Sequence, residues 1–228
     1  MRLALRALVS TTMLLTGAGC AAGPELTGVG SSHDAIDAAA APVADDVAAP
    51  VRAADGSFTV AGVRYLEMVT GGAGPDDPLP MVVALHGHGG SAVSFEKRFT
   101  SFPGRARFIV MFGVEPLPNG GYEWLPPVRR MPPAEMAARL PPLLARVATA
   151  VQRIERARPT IGRPVVVGFS QGAVLSYGLA VLHGDVFSTA CPMAGQIPDQ
   201  MLPPPGPGAR CEIHGFHGEE DDTVRYAE

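Results

Sequence analysis

Basic charge is scarce in this sequence and is not concentrated in any one stretch. Charged residues make up 18% of the 228 residues, and the formal net charge is -4. The densest group of arginines is interrupted by an acidic residue, a pattern typical of a solvated helix face; it comprises Arg153, Arg156, Arg158 and Arg163 around Glu155. Proteins that bind nucleic acid present a basic patch or stripe. We therefore expect no nucleic-acid partner.

Cysteine is also rare, with three residues in the chain. Two of them, Cys191 and Cys211, fall in or beside predicted strands. The sequence leaves two interpretations open for this pair. They are two buried thiols, or they form a disulfide if neighbouring strands bring their backbones close enough.

The third cysteine, Cys20, ends an N-terminal segment that has the order of a secretory signal. Arg2 and Arg6 precede an apolar run over residues 7–15, and small residues then lead to Cys20, as in exported proteins. The apolar run is too short to span a membrane. Because a bacterial lipoprotein signal places its lipid-bearing cysteine here, we expect an exported protein, lipid-anchored through Cys20 and periplasmic or extracellular. Plain cleaved secretion is the alternative, and membrane contact is expected only through the anchor.

Aromatic residues are absent from residues 21–55, which consist mostly of Ala, Asp, Gly, Pro, Ser and Val. Such a stretch buries too little apolar surface to offset the entropy of ordering it. We predict a signal peptide over residues 1–20, a disordered linker over residues 21–55 and one folded domain over residues 56–228.

Short apolar runs follow one another through the predicted domain. Residues 58–69 indicate an edge hairpin. The later runs are bounded by Gly or Pro and lack alternation, which is typical of strands covered on both faces of a parallel sheet. They occupy residues 81–85, 108–112, 164–167, 186–191 and 211–216.

Two helices are predicted between these runs. From Met136 to Ile154 apolar residues recur at spacings of three and four, which indicates an amphipathic helix. Pro141 and Pro142 fit a first helical turn but not an interior one, so we expect a start or a kink near Leu140. A second helix is predicted from Gln171 to His183. The alternation of strands and helices predicts a doubly wound α/β fold, which binds ligands at the carboxyl ends of its strands.

The sequence GFSQG, residues 168–172, lies between a predicted strand and the second helix. In such a turn a G-x-S-x-G sequence is a nucleophile elbow, because the glycines let the turn close and the serine hydroxyl protrudes at the end of the sheet. We therefore predict Ser170 as a catalytic nucleophile. A structural serine in a glycine-rich turn is the alternative.

A serine that attacks a carbonyl also needs backbone N–H donors for the oxyanion that forms. The amide of Gln171, at the start of a helix, is one candidate. The other is expected in the loop after an earlier strand, where the glycine-rich sequence HGHGG occupies residues 86–90.

Four sequences together, LHGHGG, GGYEWLP, GFSQGA and FHGEEDDTV, resemble the phospholipase/carboxylesterase branch of the α/β-hydrolases, which includes acyl-protein thioesterases. The resemblance runs over residues 80–224. It implies an α/β-hydrolase fold and a serine hydrolase of carboxylic esters or thioesters that works through an acyl-enzyme. It also implies small-molecule ester or thioester substrates and no metal or other cofactor.

By position, the resemblance assigns Asp221 as the triad acid and the amides of His88 and Gln171 as oxyanion donors. Trp124 falls where the family often has an aromatic residue beside the acyl pocket, and packing on a long loop is its alternative role. The sequence LHGHGGSA also resembles secreted feruloyl esterases and polyester depolymerases. Phe169 and Gln171 favour the first resemblance, and the second is kept as an alternative.

In α/β-hydrolases a histidine follows the acid along the chain and takes the serine proton. This sequence ends at Glu228, seven residues after Asp221. We expect a domain that is incomplete at its C-terminus, lacks the last strand and helix of the fold, and is at best a very poor esterase. Of the six histidines, His88 is the one whose side chain could approach Ser170. A catalytically dead binding domain that kept the pocket is a further alternative.

Overall fold

A computed structural model describes residues 49–126, 131–197, 199–202 and 211–224. The predicted signal peptide, Cys20 and the predicted linker up to residue 48 lie outside the described residues. Within the described ranges, no helix is long and apolar enough to cross a membrane.

Ten strands form in the described residues, and eight of them make one sheet. Their bounds are β1 Val51–Arg52, β2 Phe58–Val60, β3 Val63–Val69, β4 Met81–Leu85, β5 Arg107–Met111, β6 Glu115–Pro116, β7 Tyr122–Glu123, β8 Val165–Phe169, β9 Thr189–Met193 and β10 Glu212–Ile213. The sheet has the order β1-β2-β3-β5-β4-β8-β9-β10, and β6 pairs with β7 separately.

The sheet is mostly parallel, as the sequence predicts. Strands β5, β4, β8, β9 and β10 pair in parallel. Strands β1, β2 and β3 form an antiparallel edge that joins the rest through β3 and β5, which confirms the edge hairpin. Because the carboxyl ends of parallel strands meet at one edge, the loops after β4, β8, β9 and β10 lie along that edge.

Strand β1 lies inside the stretch predicted as a linker. Its residues pair with β2, and the carboxylate of Asp55 accepts hydrogen bonds from Ser57 and Arg64. The linker prediction is therefore wrong for residues 51–55. A short edge strand needs no apolar composition of its own when its neighbour supplies the backbone hydrogen bonds.

Three α-helices form in the described residues, α1 Ala92–Glu96, α2 Pro133–Ala157 and α3 Gln171–Leu182. Helix α3 agrees with the prediction. Helix α2 begins at Pro133, and Pro141 and Pro142 lie inside it. A helix start near Leu140 is therefore wrong, and the alternative of a kink there stays a prediction. Leu140 and Leu144 in the apolar stripe are fully buried. The free energy gained by this burial outweighs the cost of the backbone hydrogen bonds that the two prolines cannot donate.

Both faces of the sheet are covered where the core is thickest. Helices α2 and α3 pack on one face with a large apolar cluster. On the other face, α1 and an aromatic cluster cover β3 and β5, and the ring of Phe99 stacks on that of Phe108 at 4.8 Å. The carboxyl ends of β4, β8 and β9 are therefore surrounded by the loops that follow these strands.

Strand register excludes the disulfide interpretation. Strand β10 pairs with β9 so that Glu212 lies opposite Thr189. Cys211 is therefore level with Ser188, three residues before Cys191. Three strand residues span about 10 Å, beyond the ~7 Å between Cα atoms that a disulfide can bridge. The two cysteines are buried free thiols, and burial raises the pKa of each.

Candidate active site

Ser170 lies in the turn between β8 and α3. Its backbone has a φ of 53° and a ψ of -114°, and a positive φ is uncommon for residues other than glycine. Its amide donates to the carbonyl of Met193 at 2.9 Å. A Cβ on Gly168 would overlap the carbonyl oxygen of Gly172, and one on Gly172 would overlap that of Leu85. The turn therefore needs both glycines and has the geometry of a nucleophile elbow.

The loop after β4 packs against this turn. A Cβ placed on Gly87 would lie 3.2 Å from the Cβ of Ser170 and 3.2 Å from the Cδ1 of Phe169. His88 follows Gly87 directly. Gln171 is the first residue of α3, and the amide of a first helical residue has no partner within the helix. The structure thus brings the loop that carries His88 against Ser170, and the donor roles of the His88 and Gln171 amides stay predictions.

His86 is a buried support of this loop. Its Nε2 accepts the amide of Gly113 at 3.0 Å, so its Nδ1 carries the proton and donates to the carbonyl of Gly87 at 2.7 Å. Burial lowers the pKa of His86, which favours this neutral form. Because both ring nitrogens are occupied, His86 holds the loop and cannot receive a proton from Ser170.

The side chain of Gln171 has a second role that the sequence did not reveal. Its Oε1 accepts the amide of Trp124 at 2.8 Å, and its Nε2 donates to the carbonyl of Leu125 at 2.6 Å. Trp124 in turn donates from its indole nitrogen to the carbonyl of His86 at 2.9 Å. These hydrogen bonds connect the segment after β7 to both the turn that carries Ser170 and the loop after β4.

Trp124 is 1% exposed and therefore offers almost no surface to a ligand. Its ring packs against the imidazole of His86, with 5.4 Å between the ring centroids. This burial favours the packing alternative over the predicted place beside an acyl pocket.

Asp221 lies in the loop after β10. Its Oδ1 accepts the amides of Thr223 at 2.9 Å and Val224 at 3.0 Å, and its Oδ2 lies 3.6 Å from the Nε2 of His217. The same nitrogen of His217 is 2.6 Å from the carbonyl oxygen of Val224. These contacts orient the carboxylate within its loop, and the role of triad acid stays a prediction.

Three apolar side chains lie in register beside Ser170 on one face of the sheet. Phe169 pairs with Met193, and Met193 pairs with Phe216, so the three point to the same side. Phe169 is 48% and Phe216 40% exposed. This row, which we call the apolar row, offers a surface on which an apolar group could lie next to the serine.

Glu123 is a residue near the site that the sequence analysis did not single out. Its Oε2 lies 3.1 Å from the Nε2 of His88. The one sequence feature that could have indicated Glu123 is the presence of a carboxylate within GGYEWLP, directly before Trp124. Nothing in the local sequence links that carboxylate to His88, because the contact depends on how two distant loops pack.

No group of three or more His, Cys, Asp or Glu side chains in the described ranges is placed to hold a metal ion. The expectation of catalysis without a metal or cofactor rests on the resemblance alone and stays a prediction.

Solved structures with a similar arrangement include esterase PE8, which matches with a TM-score of 0.54 and 20% identity over 72% of this chain and 78% of that chain. The chain has the α/β-hydrolase fold. The carboxylesterase of Bacillus cereus matches with a TM-score of 0.52 and 14% identity over 67% of this chain and 84% of that one. TT1662 from Thermus thermophilus matches with a TM-score of 0.50 and 20% identity, covering 78% of each chain.

At these identities the likeness concerns the fold, and it confirms the predicted α/β-hydrolase architecture. No protein-family model matches the chain, and no curated protein matches it significantly in sequence.

Proposed function

We propose that the protein is a serine hydrolase of carboxylic esters or thioesters that works through an acyl-enzyme on Ser170. The observation that carries the proposal is the elbow, in which Ser170 has a positive φ between two glycines that have no room for a side chain. Backbone strain of this kind costs about 1–3 kcal/mol and persists where the surroundings enforce it, commonly at functional sites.

In the proposed reaction the Ser170 oxygen bonds to the carbonyl carbon of the substrate, and its proton passes to a base. The π electron pair of the carbonyl moves to the oxygen, where the amides of His88 and Gln171 would stabilise the charge. Collapse of this intermediate expels the alcohol or thiol with a proton. Water then attacks the acyl-enzyme, releases the carboxylic acid and restores Ser170. Asp221 is proposed as the acid that supports the base.

Two further observations support an ester substrate with an apolar acyl group. The apolar row beside Ser170 offers contact to such a group, and burial of each methylene contributes about 0.8 kcal/mol. Structures similar to this chain bear the names esterase and carboxylesterase, which describe those proteins and are consistent with the proposal here.

The test is hydrolysis of a panel of substrates by the full chain: a short-chain aryl ester, an aryl thioester, a lysophospholipid and a feruloyl ester. We expect slow turnover of the aryl ester or thioester, and this turnover should disappear in Ser170→Ala. The variant Ser101→Ala, at an exposed turn position, should retain it. Equal rates in the wild type and Ser170→Ala would contradict the proposal. Substrate binding without turnover would indicate a catalytically dead binding domain. A preference for the feruloyl ester would favour the alternative of a feruloyl esterase or polyester depolymerase.

A further inference from the structure

Glu123 has a buried carboxylate oxygen that faces the side chain of His88. Its Oε2 lies 3.1 Å from the Nε2 of His88. The same oxygen is shielded from solvent and has no aligned hydrogen bond among the described residues. Because an unsatisfied buried polar atom costs free energy, it requires an explanation, and a role in catalysis is one of the recognised explanations.

The backbone on one side of Glu123 is bonded to the loop after β4. The amide of Gly89 donates to the carbonyl of Tyr122 at 2.9 Å, and the amide of Tyr122 donates to the carbonyl of Gly90 at 2.8 Å. These two hydrogen bonds hold residues 89 and 90. The side chain of Glu123 reaches His88, the residue directly before them.

The backbone on the other side of Glu123 is bonded to the first residue of α3. The side chain of Gln171 accepts the amide of Trp124 at 2.8 Å and donates to the carbonyl of Leu125 at 2.6 Å. The position of Glu123 is therefore fixed relative to the loop after β4 and to the turn that carries the serine. A carboxylate held in this way is a fixed point of contact for the loop.

The amide of His88 points away from the hydrogen bonds within its loop. The carbonyl of Gly87 accepts the Nδ1 proton of His86 at 2.7 Å and the amide of Gly90 at 3.0 Å. The peptide bond that follows is trans, so the N–H of His88 points opposite to that carbonyl. Among the described residues this N–H has no hydrogen-bond acceptor. A Cβ placed on Gly87 would lie 3.2 Å from the Cβ of Ser170, so the unpaired N–H follows the residue that contacts the serine turn.

The backbone around His88 has unusual freedom, because glycines flank it. Gly87 and Gly89 carry no side chain that restricts their backbone angles, and Gly89 has a φ of 74°. The direction of the His88 N–H therefore depends on contacts that restrain the loop from outside. The contact of Glu123 with the imidazole is such a restraint, and it acts on the residue that carries the amide.

We propose that Glu123 is a positioning residue that acts through the side chain of His88. By holding the ring, its carboxylate keeps the His88 amide directed at the substrate carbonyl oxygen, on which negative charge develops as Ser170 attacks. Glu123 itself touches neither the substrate nor the reacting atoms. This inference rests on the proposed function and on the predicted donor role of the His88 amide.

The first measurement is hydrolysis of p-nitrophenyl acetate by the full chain, with the rate of Ser170→Ala subtracted. Glu123→Leu keeps the volume and removes the carboxylate, whereas His88→Ala keeps the amide and removes the ring. Loss of a whole oxyanion donor costs about 10²–10³-fold in kcat. A donor that is present but held less firmly should lose part of this, so we expect kcat to fall about tenfold in each variant, with KM little changed.

The matched controls come from a second pair of a histidine and a glutamate, at β10. The Nε2 of His214 lies 3.0 Å from the Oε1 of Glu212, and the His214 side chain is 49% exposed, against 46% for His88. Glu212→Leu and His214→Ala should keep the wild-type kcat. Circular dichroism checks that each variant is folded. His88→Ala removes an exposed ring and therefore tests the proposal even if Glu123→Leu does not fold.

A double-mutant cycle separates positioning from a merely structural role. If Glu123 acts through the ring, Glu123→Leu/His88→Ala should have the same kcat as His88→Ala, because the second substitution removes nothing more. His88→Gln, whose side-chain amide can donate to the carboxylate, should restore part of the kcat that is lost in His88→Ala. This restoration should be absent in Glu123→Leu/His88→Gln.

The outcomes distinguish this inference from the proposed function. A wild-type rate equal to that of Ser170→Ala would overturn both. Turnover that depends on Ser170 but keeps its kcat in His88→Ala or in a folded Glu123→Leu would overturn the inference alone. Independent losses that multiply in the double variant, or a rise in KM without a fall in kcat, would likewise count against positioning through His88.

Discussion

The side chain of Gln171 joins the turn that carries Ser170 to the segment that carries Glu123 and Trp124. It accepts the Trp124 amide at 2.8 Å and donates to the Leu125 carbonyl at 2.6 Å, and both bonds are buried. The side chain of the residue after the serine thus holds the neighbouring loop, while its amide stays a predicted oxyanion donor.

We therefore expect Gln171→Ala to affect stability as well as catalysis. The substitution keeps the amide but leaves a buried donor and a buried acceptor unpaired, each at about 1–3 kcal/mol. Urea unfolding should show this loss. The control Gln152→Ala, at an exposed position of α2, should unfold as the wild type does, and an equal free energy of unfolding for Gln171→Ala would contradict the bonding described.

Gly168 should tolerate no side chain. In Gly168→Ala the new methyl group would overlap the carbonyl of Gly172, so the elbow has to open and the orientation of Ser170 is lost. The control is Gly74→Ala, because its Cβ would lie 3.6 Å from the nearest atom, in the carboxylate of Asp77. Circular dichroism and ester hydrolysis should show a disrupted Gly168→Ala and a near-normal Gly74→Ala. Full activity in Gly168→Ala would contradict the geometry of the turn.

The apolar row predicts how the rate depends on acyl-chain length. Phe169→Ala should raise KM for octanoyl esters more than for acetyl esters, because the longer chain loses apolar contact worth about 0.8 kcal/mol per buried methylene. Ile161→Ala removes a side chain of similar exposure, 57%, from the loop before β8, at the opposite edge of the sheet. It should leave the chain-length profile unchanged, and an unchanged profile in Phe169→Ala would contradict the apolar subsite.

Glu67 neutralises two arginines on the antiparallel side of the sheet. Its carboxylate pairs with Arg107, which is fully buried, and with Arg158 at 2.9 Å. Breaking a buried ion pair costs about 3–5 kcal/mol, because one charge stays buried without compensation. Thermal and urea unfolding should show a loss of that size for Glu67→Gln. Glu135→Gln breaks the exposed pair with Arg139 and should have little effect, since surface pairs contribute little.

The buried His86 should make the protein less stable in mild acid. Burial lowers its pKa in the folded state, so the unfolded chain binds the proton more readily. This contribution to stability is present above the unfolded pKa of about 6.5 and is lost as the pH falls below it. The free energy of unfolding should therefore fall more steeply with decreasing pH in the wild type than in His86→Gln. Equal slopes would contradict a lowered pKa of His86 in the folded state.

Local sequence patterns predicted most of the fold. The apolar runs and glycine boundaries identified the parallel strands, and the GFSQG turn between β8 and α3 follows from its glycines. The patterns were less informative where burial outweighs local preference. Pro141 and Pro142 disfavour a helix interior, yet α2 runs through them, and the composition of residues 51–55 gave no sign of the strand that β2 supports.

The contacts around the site could not be predicted because they connect segments that are far apart in sequence. Neither the bond from Gln171 to Trp124 nor the contact of His88 with Glu123 leaves a periodic signal. The same applies to Cys191 and Cys211, whose separation depends on the register of β9 and β10. The sequence shows which side chains can donate, accept or attack. Which groups they contact is determined by how the loops pack, and only the structure shows that.

Covalent labelling of Ser170 tests the central claim most directly. The folded full chain should react with a fluorophosphonate, gain the mass of one adduct, and yield a single labelled peptide that contains Ser170. The variant Ser170→Ala should gain no mass under the same conditions. A folded wild-type chain that remains unlabelled, or a label on another residue that persists in Ser170→Ala, would contradict the assignment of Ser170 as a nucleophile.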